Sequence, residues 1–140
     1  MALILIVDDS PTELHVMKRA LEKGGYQTAV AADGQEGVRL AREMHPDLIF
    51  MDVVMPGMNG YQATRALVND PDTQAIPIVM VTSKDQETDR IWGLRQGAVD
   101  YMVKPVTPSA LVKKAQASAA DIARQLESFA VAEGFQCDCC

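Results

Sequence analysis

The 140-residue chain has few aromatic residues, two histidines and no cysteine before its last four positions. Its cysteines, Cys137, Cys139 and Cys140, lie too near one end to cross-link the interior of a domain. Neither His15 nor His45 has a second ligand type at metal-binding spacing, so both are interpreted as surface or capping residues. These absences argue against a disulfide-stabilised scaffold and against a histidine metal centre.

Positive charge is also scarce. Thirteen Lys and Arg residues stand against nineteen Asp and Glu, and the net charge of −6 argues against a sequence-independent nucleic-acid binder. The apolar run 1–7 lacks a positive leading region and a small-residue cleavage site, and it is far shorter than a membrane span. We therefore expect a cytoplasmic protein, long enough for one domain with one core.

Apolar runs and amphipathic segments alternate along the chain. The predicted strands are 3–7, 26–31, 48–51, 76–81 and 99–103, and each is followed by a segment with apolar residues at helical spacing. Strands this apolar are typical of a parallel sheet that helices cover on both faces. Right-handed crossovers then leave few topologies. We therefore predict an α/β fold with a doubly wound, five-stranded parallel sheet.

Polar residues mark the points where several predicted helices begin. Ser10 and Glu13 have the spacing of a capping box, with Pro11 between them at the first helical position. Asn59 and Asp85 are predicted to cap the third and fourth helices through their side-chain oxygens. These signals define the loops between the strands and the helices that follow them.

Residues suited to phosphoryl chemistry stand where the predicted strands end: Asp8, Asp9, Asp52, Thr82 and Lys104. In a doubly wound sheet the carboxyl ends of the strands share one rim, where ligands bind. Three neighbouring carboxylates repel one another unless a cation lies among them, and an all-oxygen site suits Mg²⁺. A hydroxyl and an ammonium can bind phosphoryl oxygens, and an aspartate can accept the group as an acyl phosphate.

Four motifs together make the chain resemble the response-regulator receiver domain: Val-Asp-Asp, Met-Asp-Val-Val-Met-Pro-Gly-Met-Asn-Gly, Val-Thr-Ser and Val-Lys-Pro. The resemblance extends over roughly residues 3–125. It implies a flavodoxin-like sheet of order 2-1-3-4-5. It also implies a role in two-component signalling, as a phosphoacceptor protein and not an enzyme, although such domains phosphorylate themselves from small donors and dephosphorylate themselves.

The resemblance assigns roles to residues at the rim. Asp52 would accept a phosphoryl group from a histidine kinase. The implied cofactor is Mg²⁺, held by oxygen atoms of Asp8, Asp9, Asp52 and the Val54 backbone carbonyl. The phosphoryl oxygens would be bound by the side chains of Thr82 and Lys104 and the backbone amides of Val53 and Ser83.

The resemblance also implies a switch and an output surface. Thr82 would move toward the phosphoryl group and Tyr101 would turn inward, because the added charge biases a two-state element. A cis peptide is expected between Lys104 and Pro105. The output surface would comprise the fourth helix, fifth strand and fifth helix. Trp92 lies on the fourth helix, and we interpret it either as a residue that packs within the domain or as an anchor for a partner protein.

The residue two positions after the phosphoacceptor bears on hydrolysis and on a rival function. In receiver domains Val54 and Lys84 would lie near the path of the hydrolytic water. Since Val54 offers that water no hydrogen bond, we predict a phosphoryl lifetime of minutes or more. A phosphohydrolase of the haloacid-dehalogenase type needs a second acid at the position of Val54, so that reading is disfavoured.

The expected organisation is a receiver domain over 1–126 and an extension over 127–140, with no effector domain following it. The loop sequences and the segment 92–98 are similar to regulators of type IV pilus twitching motility. The expected partners are a histidine kinase and a protein target, without nucleic acid or membrane, and the protein is expected to be a monomer or weak dimer. The alternative is a degenerate receiver that acts as a phosphorylation-independent docking module.

The end of the chain leaves two questions open. The apolar stripe of the last helix continues to Phe129, so its end is either a dimer or partner contact or a frayed terminus. The closing Cys137, Cys139 and Cys140 either bind a soft metal or belong to a disordered tail or cloning scar.

Overall fold

The computed structural model describes residues 2–118 and contains one parallel sheet. Its strands are β1 (Leu3–Val7), β2 (Gln27–Ala31), β3 (Leu48–Met51), β4 (Ile78–Thr82) and β5 (Asp100–Val103). The helices are α1 (Pro11–Lys23), α2 (Gly34–Met44), α3 (Gly60–Val68) and α4 (Glu87–Gln96). A fifth helix, α5, begins at residue 108 and is described as far as residue 118.

The strand order in the sheet is β2-β1-β3-β4-β5, which confirms the predicted doubly wound topology. After β2 pairs with one edge of β1, the chain crosses to the other edge, where Val7 is in register with Met51. The order therefore reverses between β1 and β3. Loops after these two strands diverge and leave a crevice at their carboxyl ends, where ligands bind in folds of this kind.

Strand residues alternate between two cores, one on each face of the sheet. Leu5, Ile49 and Met80 belong to the core that also contains Ala63 and Leu67 of α3. The core on the other face contains the strand residues Ile4, Ile6, Phe50 and Val79 together with Met17 and Leu21 of α1 and Leu111 of α5. Burial on both faces explains why β1, β3 and β4 are almost continuously apolar.

The helix caps agree with the sequence patterns only in part. Asn59 caps α3 and forms a reciprocal capping box with Gln62. Ser10 caps α1 by accepting from the Glu13 backbone N–H at 3.4 Å, but the Ser10 N–H donates to Asp8 at 2.9 Å. The predicted Asp85 cap is wrong, because the cap residue of α4 is Gln86, which makes no side-chain cap hydrogen bond.

Helix α4 buries a glycine and leaves two of its apolar side chains exposed. Ile91 and Leu94 are 44% and 39% exposed, whereas Ala98, just after the helix, is buried. Gly93 is the buried residue of the helix, and a Cβ atom there would lie 3.2 Å from the Tyr101 ring. The absence of a side chain at Gly93 therefore allows α4 to pack closely against Tyr101.

Several sequence predictions lie outside the described residues. These are the continuation of the last helix to Phe129, the boundary between 1–126 and 127–140, and the roles of Cys137, Cys139 and Cys140. No helix within residues 2–118 combines the length and apolar character needed to cross a membrane.

Candidate functional site

Asp8 and Asp52 follow the neighbouring strands β1 and β3, at the crevice where the strand order reverses. The backbone N–H of Asp52 donates to the Val7 carbonyl at 2.9 Å, which continues the pairing of β1 with β3 up to the two acids. Both residues are buried, at 2% and 7% exposure. Because a buried carboxylate is unfavourable without a partner, this arrangement requires positive charge nearby.

Lys104, at the end of β5, supplies that charge. Its Nζ atom lies 2.7 Å from Oδ2 of Asp8 and 3.2 Å from Oδ2 of Asp52, and it also contacts the Glu13 carboxylate. The Lys104 backbone N–H donates to the Thr82 carbonyl at 2.8 Å, which positions the side chain from the adjacent strand end. The structure thus brings together three of the predicted strand-end residues, Asp8, Asp52 and Lys104.

The electrostatics of Lys104 keep it protonated. Burial by itself lowers the pKa of Lys104, but the hydrogen bonds to Asp8 and Glu13 and the charge of Asp52 outweigh burial and raise the pKa above its ordinary value. The ammonium is therefore a fixed positive charge at neutral pH. It can pair with an anion that enters the crevice.

For Asp52, burial outweighs the favourable charge interactions. Burial raises the pKa of Asp52 above its usual 3.8, and the nearby Asp8 charge adds to this, while Lys104 lowers it only in part. The ionised Asp52 carboxylate is therefore less favourable in the folded protein than in water. A second cation, or a covalent change that removes its charge, would relieve this.

Glu13 is a member of the site that the sequence patterns did not identify. One carboxylate oxygen from each of Asp8, Glu13 and Asp52 can be chosen so that all lie within 4.8 Å of one another. The sequence interpretation placed Glu13 in a local capping box. The signal that could have found it is its position in the first turn of α1, directly after the Asp8 loop and on the same rim.

The donor set of the crevice fits Mg²⁺. It consists of carboxylate oxygens, two of them from buried residues, and their net negative charge exceeds what one ammonium neutralises. Asp9, also predicted as a ligand, is exposed and lies outside this group of carboxylates. Asp8 and Asp52 would therefore hold the ion with Glu13 beside them, and Asp9 and the Val54 carbonyl stay predicted ligands.

Other predicted residues lie around the acceptor carboxylate. The Val53 N–H donates to Oδ1 of Asp52 at 2.8 Å, so this amide already points at the carboxylate. Thr82 is fully buried at the end of β4, and its hydroxyl accepts from the Lys84 N–H at 3.4 Å. Ser83 and Val54 are exposed. The peptide between Lys104 and Pro105 is cis, as the resemblance implied.

Aromatic residues connect the loop after β4 to helix α4. Tyr101 is nearly buried, and its hydroxyl donates to the Lys84 carbonyl at 2.9 Å. The Tyr61 hydroxyl donates to the Asp89 carbonyl at 3.2 Å, and the Tyr61 ring meets Trp92 edge-on at 6.5 Å. Trp92 is nevertheless 49% exposed, so it packs on one edge and presents the other to solvent.

Comparison with known proteins agrees with this arrangement. The family model of the response regulator receiver domain matches residues 4–116. Protein PilH of Pseudomonas aeruginosa is 58% identical over 113 residues, which are 81% of this chain and 93% of PilH.

Two solved structures have a similar fold. Chemotaxis protein CheY4 of Vibrio cholerae superposes with a TM-score of 0.80 at 33% identity, covering 84% of this chain and 98% of CheY4. The receiver domain of sensor histidine kinase PA1611 from Pseudomonas aeruginosa gives 0.79 at 32% identity, covering 85% and 98%. That structure has a magnesium ion coordinated in its active site cleft.

Proposed function

Because this chain belongs to the response regulator receiver family of two-component signalling proteins, we propose that Asp52 accepts a phosphoryl group from the phosphohistidine of a histidine kinase. The observation that carries the proposal is the environment of one carboxylate. Asp52 is buried, its Oδ1 accepts from the Val53 N–H at 2.8 Å, and its Oδ2 lies 3.2 Å from the Lys104 ammonium. A nucleophile, an anion-binding amide and a fixed cation thus meet at one point.

The proposed transfer moves phosphorus from nitrogen to oxygen. An oxygen of Asp52 forms the new P–O bond while the P–N bond to the kinase histidine breaks, and the released imidazole nitrogen takes up a proton. The Val53 amide holds the carboxylate so that Oδ2 faces Lys104. The Lys104 ammonium can then pair with a phosphoryl oxygen of the acyl phosphate, whose negative charge lies on the phosphoryl oxygens and no longer on the buried carboxyl group of Asp52.

We include Mg²⁺ in the proposal as the cofactor. Asp8 and Asp52 would hold it, and Asp9 and the Val54 carbonyl stay predicted ligands from the family resemblance. The ion would neutralise charge on the transferring phosphoryl group. The clustering of carboxylates and the magnesium-bound receiver domain of PA1611 support this assignment.

The proposed output is a change in protein binding. Thr82 and the Ser83 amide would bind the phosphoryl oxygens, and Tyr101 would respond through the loop after β4, whose Lys84 carbonyl it contacts. The output surface would comprise α4, β5 and α5, where Ile91, Trp92, Leu94 and Val103 are exposed. Exposed apolar side chains of this kind are suited to a protein partner.

The biological setting that we propose is motility signalling in the cytoplasm. The similarity to PilH agrees with the resemblance of the loop sequences to regulators of twitching motility. The similarity to chemotaxis protein CheY4 agrees with a chemotaxis-like pathway. Self-phosphorylation from small donors and self-dephosphorylation belong to the proposal as well.

The test is intact mass after incubation with phosphoramidate and Mg²⁺, with Asp52→Asn as the control. A single phosphoryl adduct that requires both Mg²⁺ and Asp52 is the expected result. Folded protein without any adduct would contradict the proposal and favour a docking module. An adduct that persists in Asp52→Asn would place the acceptor at another residue.

A further inference from the structure

The Lys104 ammonium has a third partner that the phosphoacceptor reaction does not use. Glu13 contacts Nζ of Lys104 from the first turn of α1, although 91 residues separate the two in the chain. The Glu13 side chain is 43% exposed, whereas those of Lys104 and Asp8 are 14% and 2% exposed. Glu13 therefore approaches the ammonium from the solvent side, and the two aspartates approach it from within.

This contact replaces a local one. In a capping box the Glu13 carboxylate would bond to the Ser10 N–H, but that N–H donates instead to Asp8. The Ser10 hydroxyl still accepts from the Glu13 backbone N–H, so the helix start does not depend on the Glu13 carboxylate. A change confined to that carboxylate should leave α1 intact.

We propose that Glu13 is a positioning residue, whose carboxylate draws the Lys104 ammonium away from Asp8 and Asp52 and so adjusts how the crevice binds Mg²⁺ and phosphoryl groups. The inference rests on the phosphoacceptor role proposed for Asp52. Neutralising Glu13 should change Mg²⁺ affinity and phosphorylation rate in opposite directions. A residue with a general structural role would change both in the same direction.

The first consequence concerns the metal. The oxygens that would hold Mg²⁺ are those that Lys104 contacts at 2.7 and 3.2 Å. With Glu13 neutralised, the ammonium pairs with these oxygens alone, and one nearby negative charge is lost. Both effects weaken cation binding, because the ion must displace a more firmly held lysine from a less negative crevice.

The second consequence concerns the phosphoryl group. An incoming phosphoryl donor is anionic, so the Glu13 charge repels it and also competes with its oxygens for Lys104. When Mg²⁺ is saturating, neutralising Glu13 should therefore favour phosphorylation. A merely destabilised site would lose both metal affinity and phosphorylation rate.

The experiment compares Glu13→Gln with the wild-type protein and with a matched control, Glu43→Gln. Glu43 pairs with Arg39 on the exposed surface of α2 at 3.2 Å and contacts none of the site residues. Mg²⁺ affinity is measured by titration of the Asp9 and Val53 amide resonances, and phosphorylation by intact mass with phosphoramidate at saturating Mg²⁺. For Glu13→Gln we expect about threefold weaker Mg²⁺ binding and about threefold faster phosphorylation, the effect of one partly exposed ion pair.

A third variant tests the route through Lys104. In a Lys104→Met background, Glu13→Gln should change the Mg²⁺ affinity by a smaller factor than it does in the wild type. An undiminished factor would overturn the proposal, because Glu13 would then act only as a remote charge. The proposal would also be overturned if Glu13→Gln had the same Mg²⁺ affinity and phosphorylation rate as Glu43→Gln. A decrease of both quantities in Glu13→Gln would overturn it as well.

The Mg²⁺ titration separates this proposal from the proposed function. If the wild-type protein forms no phosphoryl adduct, the phosphoacceptor role of Asp52 fails. The titrations of the single and double variants still decide whether Glu13 acts on the metal ligands through Lys104.

Discussion

Nζ of Lys104 lies 3.2 Å from Oδ2 of Asp52, and the two residues are 52 positions apart in the chain. They meet because β3 and β5 flank β4 in a parallel sheet, so that both strand ends lie at one rim. Asp8, from the strand on the other side of β3, bonds to the same ammonium at 2.7 Å. Glu13 of α1 contacts it as well, so one lysine compensates carboxylates from the ends of β1 and β3 and from α1, and the stability of the crevice depends on it.

Replacing Lys104 with methionine should therefore destabilise the protein in the absence of Mg²⁺. The change leaves Asp8 and Asp52 buried without their cation, and we expect a loss of about 1–3 kcal/mol in the free energy of unfolding. Urea denaturation measures this loss, and saturating Mg²⁺ should restore part of it. If Lys104→Met unfolds at the same urea concentration as the wild type, the ion pairs contribute nothing to stability.

Asp52→Asn should have the opposite effect on stability. Burial raises the pKa of Asp52 in the folded protein above its ordinary 3.8, so the unfolded chain loses its proton first. The free energy of unfolding therefore falls as the pH rises through 3.8 towards the folded-state pKa. Asparagine carries no charge, so we expect a higher melting temperature than wild type at pH 7 without Mg²⁺, and a smaller difference near pH 4. A lower melting temperature at pH 7 would contradict this.

The parallel sheet and the strand-end residues could be predicted because continuous apolar runs and local motifs indicate them, whereas the strand order was implied by the resemblance to the receiver domain. Glu13 could not be assigned in this way, since its spacing from Ser10 also satisfies a local cap, and only the fold brings Lys104 within reach. The burial of Gly93 could not be predicted either, because a glycine has no apolar side chain that would contribute to a hydrophobic pattern. Asp85 failed as a cap because α4 begins after Gln86, without any side-chain cap.

The Asp100–Lys114 ion pair predicts a second pH dependence. Burial tends to raise the pKa of Asp100, but the hydrogen bonds from Lys114 and the Tyr101 N–H lower it overall. Its contribution to stability is therefore present above the ordinary value of 3.8 and is lost as the pH falls through the lower folded-state pKa. After allowance for solvent screening, Asp100→Asn should lower the free energy of unfolding at pH 7 by about 0.5–1 kcal/mol.

The control for this pair is Lys114→Met, which removes the same ion pair from the other side. The double variant should lose less than the sum of the two single variants, because either change breaks the same contact. Strictly additive losses would show that the two side chains do not interact in solution.

Val54→Asn should shorten the lifetime of the phosphorylated protein. Val54 is 54% exposed beside Asp52 and offers no hydrogen bond to an approaching water. An asparagine amide could orient that water, and one hydrogen bond of roughly 0.5–1.5 kcal/mol corresponds to a rate increase of about two- to tenfold. The measurement is the decay of the phosphoryl adduct by intact mass, with Val54→Ala as the control. An unchanged decay rate in Val54→Asn would count against the proposed path of the water.

Tyr101→Phe should loosen the loop after β4 without unfolding the sheet. The Tyr101 hydroxyl donates to the Lys84 carbonyl at 2.9 Å, while its ring packs against Gly93 of α4. Phenylalanine keeps the ring and removes the hydroxyl with its hydrogen bond to the Lys84 carbonyl, so we expect a loss of about 0.5–1.5 kcal/mol in the free energy of unfolding.

The loss should be concentrated in that loop, since no other side chain in the described part of the chain is bonded to the Lys84 carbonyl. Amide hydrogen exchange should therefore be faster for residues 83–87 in Tyr101→Phe, with exchange in β1 and β3 changed much less. Tyr61→Phe is the comparison variant, because it removes a neighbouring hydroxyl that interacts with that of Tyr101 but bonds to the Asp89 carbonyl further along the chain. If Tyr101→Phe accelerates exchange equally throughout the sheet, the hydroxyl stabilises the whole domain and does not specifically restrain the loop.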